Sequence, residues 1–169
     1  VSFDLWNEEP RVRVPGLSGR AHIRIWNEID RAMVDRVAET LAKASTAESL
    51  TIDVDSYGGE ALAAVDLFVL LDRHPATHKV AFGAHVQSAA ILPLLAGDER
   101  IARRGASVLI HPAHGGHPDD LAWIDRQIAK IIAARTGAPI EAITNEQSTE
   151  EPSGLEWCLQ HKIFTRTLN

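Results

Sequence analysis

Acyl transfer needs a hydroxyl that attacks, an imidazole that takes its proton, and N–H groups that hold the developing oxyanion. Three stretches of this sequence offer those groups, each where a strand is expected to end. Gly58-Gly59 closes one apolar run, Ser88 follows another in VAFGAHVQSAAILPLLAG, and the run SVLIHP ends in His111-Pro112. A glycine pair at a strand-to-helix turn lets backbone N–H groups approach a ligand with no side chain in the way. It is no phosphate loop, because the spaced glycines and the following Lys-Ser/Thr are absent. Taken alone it reads as a plain tight turn. Ser88 sits where strand gives way to a small-residue helix, so the free N–H groups of the first turn would favour negative charge there. Capping that helix is the other job open to Ser88, since serine is a favoured cap residue.

Eight histidines compete for the role of base. His22, His74, His78 and His161 fall at element ends or surfaces, where a solvated imidazole is ordinary. His85 precedes Ser88 but belongs on the backbone side of the expected turn. His111 is preferred because its strand should lie near that of Ser88. His111, His114 and His117 recur at every third position, a spacing that invites a metal. Pro112, Gly115 and Gly116 break any helix that would gather them, and no acidic metal motif accompanies them. Neither a metal nor an organic cofactor is expected.

The elements that must position these groups alternate between strand and helix. A strand over 22–26 precedes a helix capped by Asp30 and running to about residue 44, with Met33, Val37 and Leu41 on one face. Residues 50–54 form a second strand, and a helix from near Glu60 stops at His74-Pro75, since the residue before proline disfavours helix. Val80 and Phe82 mark a third strand, turning at Gly83-Ala84 ahead of the Ser88 helix, which Pro93 should kink or shorten. Short strands over 99–102 and 107–111 flank a turn at Arg103-Arg104-Gly105-Ala106. Helices follow over 118–134, stopped by Gly137, and from Pro139 to about Asn145. Ser153 and Glu156 have capping-box spacing for a last helix to His161, before a final strand over 163–168. This is one α/β domain over 21–169, with 1–20 as an arm or edge hairpin around Val12 and Val14.

Composition narrows the class. Apolar residues make up 45% and charged residues 24% of the 169, ordinary for a soluble globular domain. A net charge of −6 without a basic patch argues against nucleic acid. The single cysteine, Cys158, forms no internal disulfide and suits a reducing compartment. The longest apolar run, 89–96, falls far short of the roughly 20 residues a membrane span requires. No signal-peptide pattern opens the chain, and a cytoplasmic location is expected.

Gly58-Gly59 after a strand, Gly83 leading to Gln87-Ser88-Ala89-Ala90, and then Leu109-Ile110-His111-Pro112 together resemble the proteolytic subunit of the Clp protease. More closely, they resemble the compact phage and prophage members of that serine peptidase family. The resemblance runs from about residue 21 to the C-terminus. It implies the fold shared by ClpP and the crotonases, built of ββα units with a twisted, mostly parallel sheet and flanking helices. It further implies Ser88 as nucleophile, His111 as general base, and the N–H groups of Gly59 and Ala89 as oxyanion hole. Counting on from Thr136-Gly137 puts Glu146 where the family usually has an aspartate. Asn145 and the Glu150-Glu151 pair are the other candidates for that place. Substrate peptide would add as a strand beside Gly58-Gly59, near Pro112.

The resemblance also implies a homo-oligomer, ring or smaller, acting on peptide or unfolded protein, with an AAA+ unfoldase as a further partner. The segment between His111 and Thr136 is shorter than the family's ring-joining handle, which counts against a double ring. Two alternatives to a serine endopeptidase stand beside it. One is a degenerate ring or assembly subunit, suggested by the glutamate at the acid position. The other is a crotonase-type acyl-CoA enzyme, for which Glu60 beside the glycine pair is the relevant group.

Overall fold

The computed structural model describes residues 19–149 and 151–168. The hairpin expected around Val12 and Val14 therefore lies outside the described residues. Five strands, β1 (Arg20–Ile29), β2 (Ser49–Gly59), β3 (His78–Gln87), β4 (Glu99–Leu109) and β5 (Arg166–Thr167), form one sheet in chain order. Every neighbouring pair is parallel. Helices α1 (Arg31–Lys43) and α2 (Ala61–Arg73) make the first two crossovers. A 3₁₀ turn (Ser88–Ala90) and α3 (Ile91–Leu95) make the third, and α4 (Pro118–Thr136), α5 (Ile140–Gln147) and α6 (Leu155–Gln160) lead to β5.

Period-two alternation explains the sheet. Ala21, Ile23 and Ile25 of β1 and Leu50, Ile52 and Val54 of β2 are buried, while the residues between them stay partly exposed. Those buried side chains meet Met33, Val37 and Leu41 of α1 and Leu67 and Leu71 of α2 in one core. Asp30 caps α1, its Oδ1 accepting from Met33 N at 2.7 Å. Gly137 ends α4 in the left-handed region at φ 74°, its N–H donating to Ala133 O.

Several boundaries differ from the sequence-based expectation, each for a tertiary reason. Gly83 is not a turn: β3 continues to Gln87, and a Cβ on Gly83 would lie 2.7 Å from Cε1 of Phe164. Its smallness admits an aromatic ring. The two strands expected over 99–111 are one strand, β4, whose Arg103–Ala106 stretch bulges where pairing shifts between Gly83 and His85 of β3. Ser153 does not cap α6, whose N-cap is Gly154. Its backbone is drawn into an antiparallel bridge with Val108, Ser153 N donating to Val108 O at 2.8 Å, so a sheet contact displaces the local cap. β5 is shorter than expected because Ile163 and Phe164 go into the core. α3 is short, five residues with Pro93 at its centre.

Candidate active site

Ser88 follows directly on β3 and holds φ at 54°, a left-handed value that a residue bearing a Cβ seldom adopts. Such strain costs on the order of 1–3 kcal/mol and persists only where the surroundings over-determine it. Here they do: Ala89, Ala90 and Ile91–Leu95 are buried, so the chain on the far side of the turn is fixed. Ser88 caps nothing. Gln87 and Ala90 hold the N-cap positions of the 3₁₀ turn and of α3, and among the described residues the Ser88 hydroxyl has no hydrogen-bond partner. The turn presents the hydroxyl instead of spending it.

The glycine pair backs onto this turn. A Cβ on Gly58, at φ 97°, would lie 2.7 Å from Ser88 Cβ and 3.1 Å from Ala89 N. A Cβ on Gly59 would overlap the backbone of Ile29, its partner on β1. Both positions therefore need glycine, and both are held beside Ser88 by strand pairing. β2 leaves β3 after the Ser56–Val86 pair, while Glu28 and Ile29 retain Gly58 and Gly59 on the other edge.

His111 lies just past β4, after the buried Ile110. It lines the same cleft as Ser88, Ala89 and Gly59, with α4 forming the opposite wall. Its Nδ1 is 2.8 Å from Pro112 O, and its ring meets His114 edge-on with centroids 5.3 Å apart. A carbonyl only accepts, so in that contact Nδ1 carries the proton and Nε2 keeps its lone pair. The cleft runs on into an apolar groove between α2 and α4, lined by Leu62, Val65, Trp123 and Ile131. Leu62 and Trp123 are both more than half exposed.

The family model for the Clp protease matches residues 13–156. The chain belongs to the Clp protease family. Solved structures of the family share its fold at low sequence identity. ClpP1 from Listeria monocytogenes superposes with a TM-score of 0.78 at 21% identity, covering 88% of this chain and 91% of that one. A mutant of ClpP1 from the same organism gives a TM-score of 0.77 at 20% identity, with the same two coverages. The ClpP protease catalytic domain from Plasmodium falciparum gives 0.74 at 16%, covering 86% and 85%. No curated protein sequence matches the chain. Family membership makes this a ClpP-like peptidase domain.

Not every residue implied by the Clp resemblance comes to the cleft. Glu146 does not line it. α5 extends to Gln147, so Glu146 sits on the last helical turn rather than in the turn beyond, and the helix sets its direction. Its charge instead acts on Cys158: burial first, and Glu146 second, push that thiol up to about 12. Asn145 offers its backbone carbonyl to the Ser148 hydroxyl, and Glu151 is exposed. Gly58 opens onto a neighbouring depression with Asn27, Glu28 and Tyr57. Pro112 is absent from the cleft lining and contributes its carbonyl to His111. Among the described residues no group of three or more His, Cys, Asp or Glu side chains is placed to hold a metal. His117 accepts from Asp119 N at the start of α4 instead.

His85, set aside as a base on sequence grounds, and Asp125, which no motif singled out, both have partners in the fold. His85 pairs through Nδ1 with Asp55 Oδ1 at 2.8 Å and stacks against Tyr57, on the exposed surface and outside the cleft lining. Asp125 of α4 lines the cleft half-buried, and its Oδ1 accepts from Ala113 N at 2.8 Å. A signal for Asp125 was present. It falls four residues after Leu121 and three before Ile128, an acid on the inward stripe of an amphipathic helix.

Proposed function

We propose that the protein is a serine endopeptidase in which Ser88 is the nucleophile and His111 the general base. The Gly59 and Ala89 N–H groups hold the oxyanion. The observation that carries this reading is the meeting of Ser88, His111, Gly59 and Ala89 in one cleft, with the Ser88 hydroxyl unspent. In that cleft His111 Nε2 takes the hydroxyl proton as Ser88 attacks the scissile carbonyl and returns it to the leaving amine. Water, giving its proton to the same Nε2, then releases the acyl group as the acid, and Ser88 regains its proton. The strained backbone at Ser88 supports the reading, since such outliers cluster at reacting centres.

Substrate peptide adds in extended form along the edge of Gly58-Gly59 that β3 leaves unpaired, so main-chain hydrogen bonds fix the scissile bond over Ser88. The chemistry needs neither metal nor ATP. The chain works as a homo-oligomer on peptide or unfolded protein, in phage-type processing or degradation, and an AAA+ unfoldase is the partner its family suggests. A fluorophosphonate probe tests the nucleophile: the wild-type protein is labelled and Ser88→Ala is not. A folded, assembled wild-type protein that stays unlabelled sinks the reading. It would favour an inactive assembly subunit, which the lack of an acid side chain hydrogen-bonded to the His111 ring among the described residues supports.

A further inference from the structure

We propose that Asp125 is the positioning residue for His111, acting through the peptide group that joins Pro112 to Ala113. It deepens the serine-peptidase reading by naming what holds its base. His111 Nδ1–H donates to Pro112 O at 2.8 Å, and Ala113 N–H donates to Asp125 Oδ1 at 2.8 Å. The carbonyl and the N–H are the two ends of one planar amide. A carboxylate, an amide and an imidazole thus stand in a single line, Asp125 to Ala113 N–H, Pro112 C=O to His111.

Each link has a physical task. The carboxylate gives the Ala113 N–H a partner and fixes the plane of the peptide, so the Pro112 carbonyl stays aimed at Nδ1. An anion accepting at the N–H end draws electron density toward the oxygen end, which strengthens the bond to the imidazole. The Nδ1–H tautomer is then favoured, Nε2 keeps its lone pair for the Ser88 proton, and the imidazolium that forms is stabilised by the carboxylate beyond. Three acids line the cleft: Glu60 at the start of α2, and Asp120 and Asp125 on α4. Glu60 and Asp120 are exposed, and neither bonds to the 111–113 segment among the described residues. Asp125 alone is half-buried and bonded to it.

The test uses the full chain, isotope-labelled at histidine, and two readouts: the rate of fluorophosphonate labelling of Ser88 and the His111 tautomer by nitrogen NMR. Asp125→Ala is expected to slow labelling by about 10- to 100-fold, the loss a displaced catalytic group brings. The same variant shifts His111 toward the Nε2–H tautomer. Asp125→Asn keeps an oxygen for the Ala113 N–H but not the charge, and is expected to restore the tautomer and part of the rate. A change that merely loosened α4 would slow labelling without that tautomer shift or that rescue. Asp125→Ala with the wild-type rate and tautomer overturns the proposal, and so does an Nε2–H tautomer in the wild-type protein. If the wild type is folded but unlabelled, the peptidase reading fails, and the tautomer measurements decide the positioning role by themselves.

Discussion

Gly58→Ala probes how closely β2 approaches the Ser88 turn. The added Cβ would lie 2.7 Å from Ser88 Cβ, 2.9 Å from Gln87 O and 3.1 Å from Ala89 N, so backbone must move on at least one side. Two costs add. Holding alanine at φ 97° costs roughly 1–2 kcal/mol, and forcing a methyl into a filled site costs roughly 1–3 kcal/mol more. Gly105→Ala separates them, because Gly105 has φ 77° but nothing within 4 Å of its Cβ position. Gly105→Ala is expected to lose about 1–2 kcal/mol and Gly58→Ala about 2–5 kcal/mol. At roughly 2–4 °C per kcal/mol for a chain of this length, the overpacking difference of about 1–3 kcal/mol should separate the two melting temperatures by about 2–12 °C. The same displacement moves the Ser88 hydroxyl, so fluorophosphonate labelling should fall by about 10- to 100-fold in Gly58→Ala and stay unchanged in Gly105→Ala. Equal melting temperatures together with wild-type labelling of Gly58→Ala would refute the close approach, and with it the reason for glycine at that position.

Two other outcomes follow from buried groups. Cys158, buried with its thiol pushed up to about 12, is expected to resist iodoacetamide at pH 9 in the folded protein and to react once denaturant exposes it. Because its folded value lies above the ordinary one of about 8.5, its contribution to stability is full below that pH and is lost as pH rises toward 12; native alkylation as fast as in denaturant would contradict this. Arg100 donates from its side chain to Gly97 O, Lys162 O and Ile163 O, pinning the chain after α6 to β4. Arg100→Met leaves those carbonyls without a partner and should cost about 3–5 kcal/mol, read as a lowered melting temperature with early proteolysis near residue 162. Unchanged melting would show the pins to be dispensable.

Features with a local cause were legible in advance. Asp30 as a cap, Gly137 as a stop and the breaks at His74-Pro75 depend on a few neighbouring residues, and each stands where the chain chemistry puts it. Misread features had a distant cause. Nothing near Gly83 announces Phe164, which is 81 positions away and requires the missing side chain. Ser153 has the spacing of a cap, but Val108 takes its backbone into the sheet. Glu146 depends on where α5 stops: the helix runs two residues further, Glu146 stays on it, and the cleft lining does not include it.

Alternation of apolar residues and the turn signals between runs are enough to specify an α/β domain, because strand period and turn preference are short-range properties. Gly58-Gly59, Ser88 and His111 at strand ends carry the resemblance to the Clp family. Only the folded chain decides which groups meet. Parallel crossovers bring residues dozens of positions apart to one sheet edge, and the register of β2 against β1 sets the glycines behind Ser88. What backs the segment after His111 is likewise a tertiary outcome, although the ring's own partner, Pro112 O, is its sequence neighbour. α4 returns across the cleft and lays Asp125 on the Ala113 N–H, a contact fixed by helix packing and not by the sequence around the histidine.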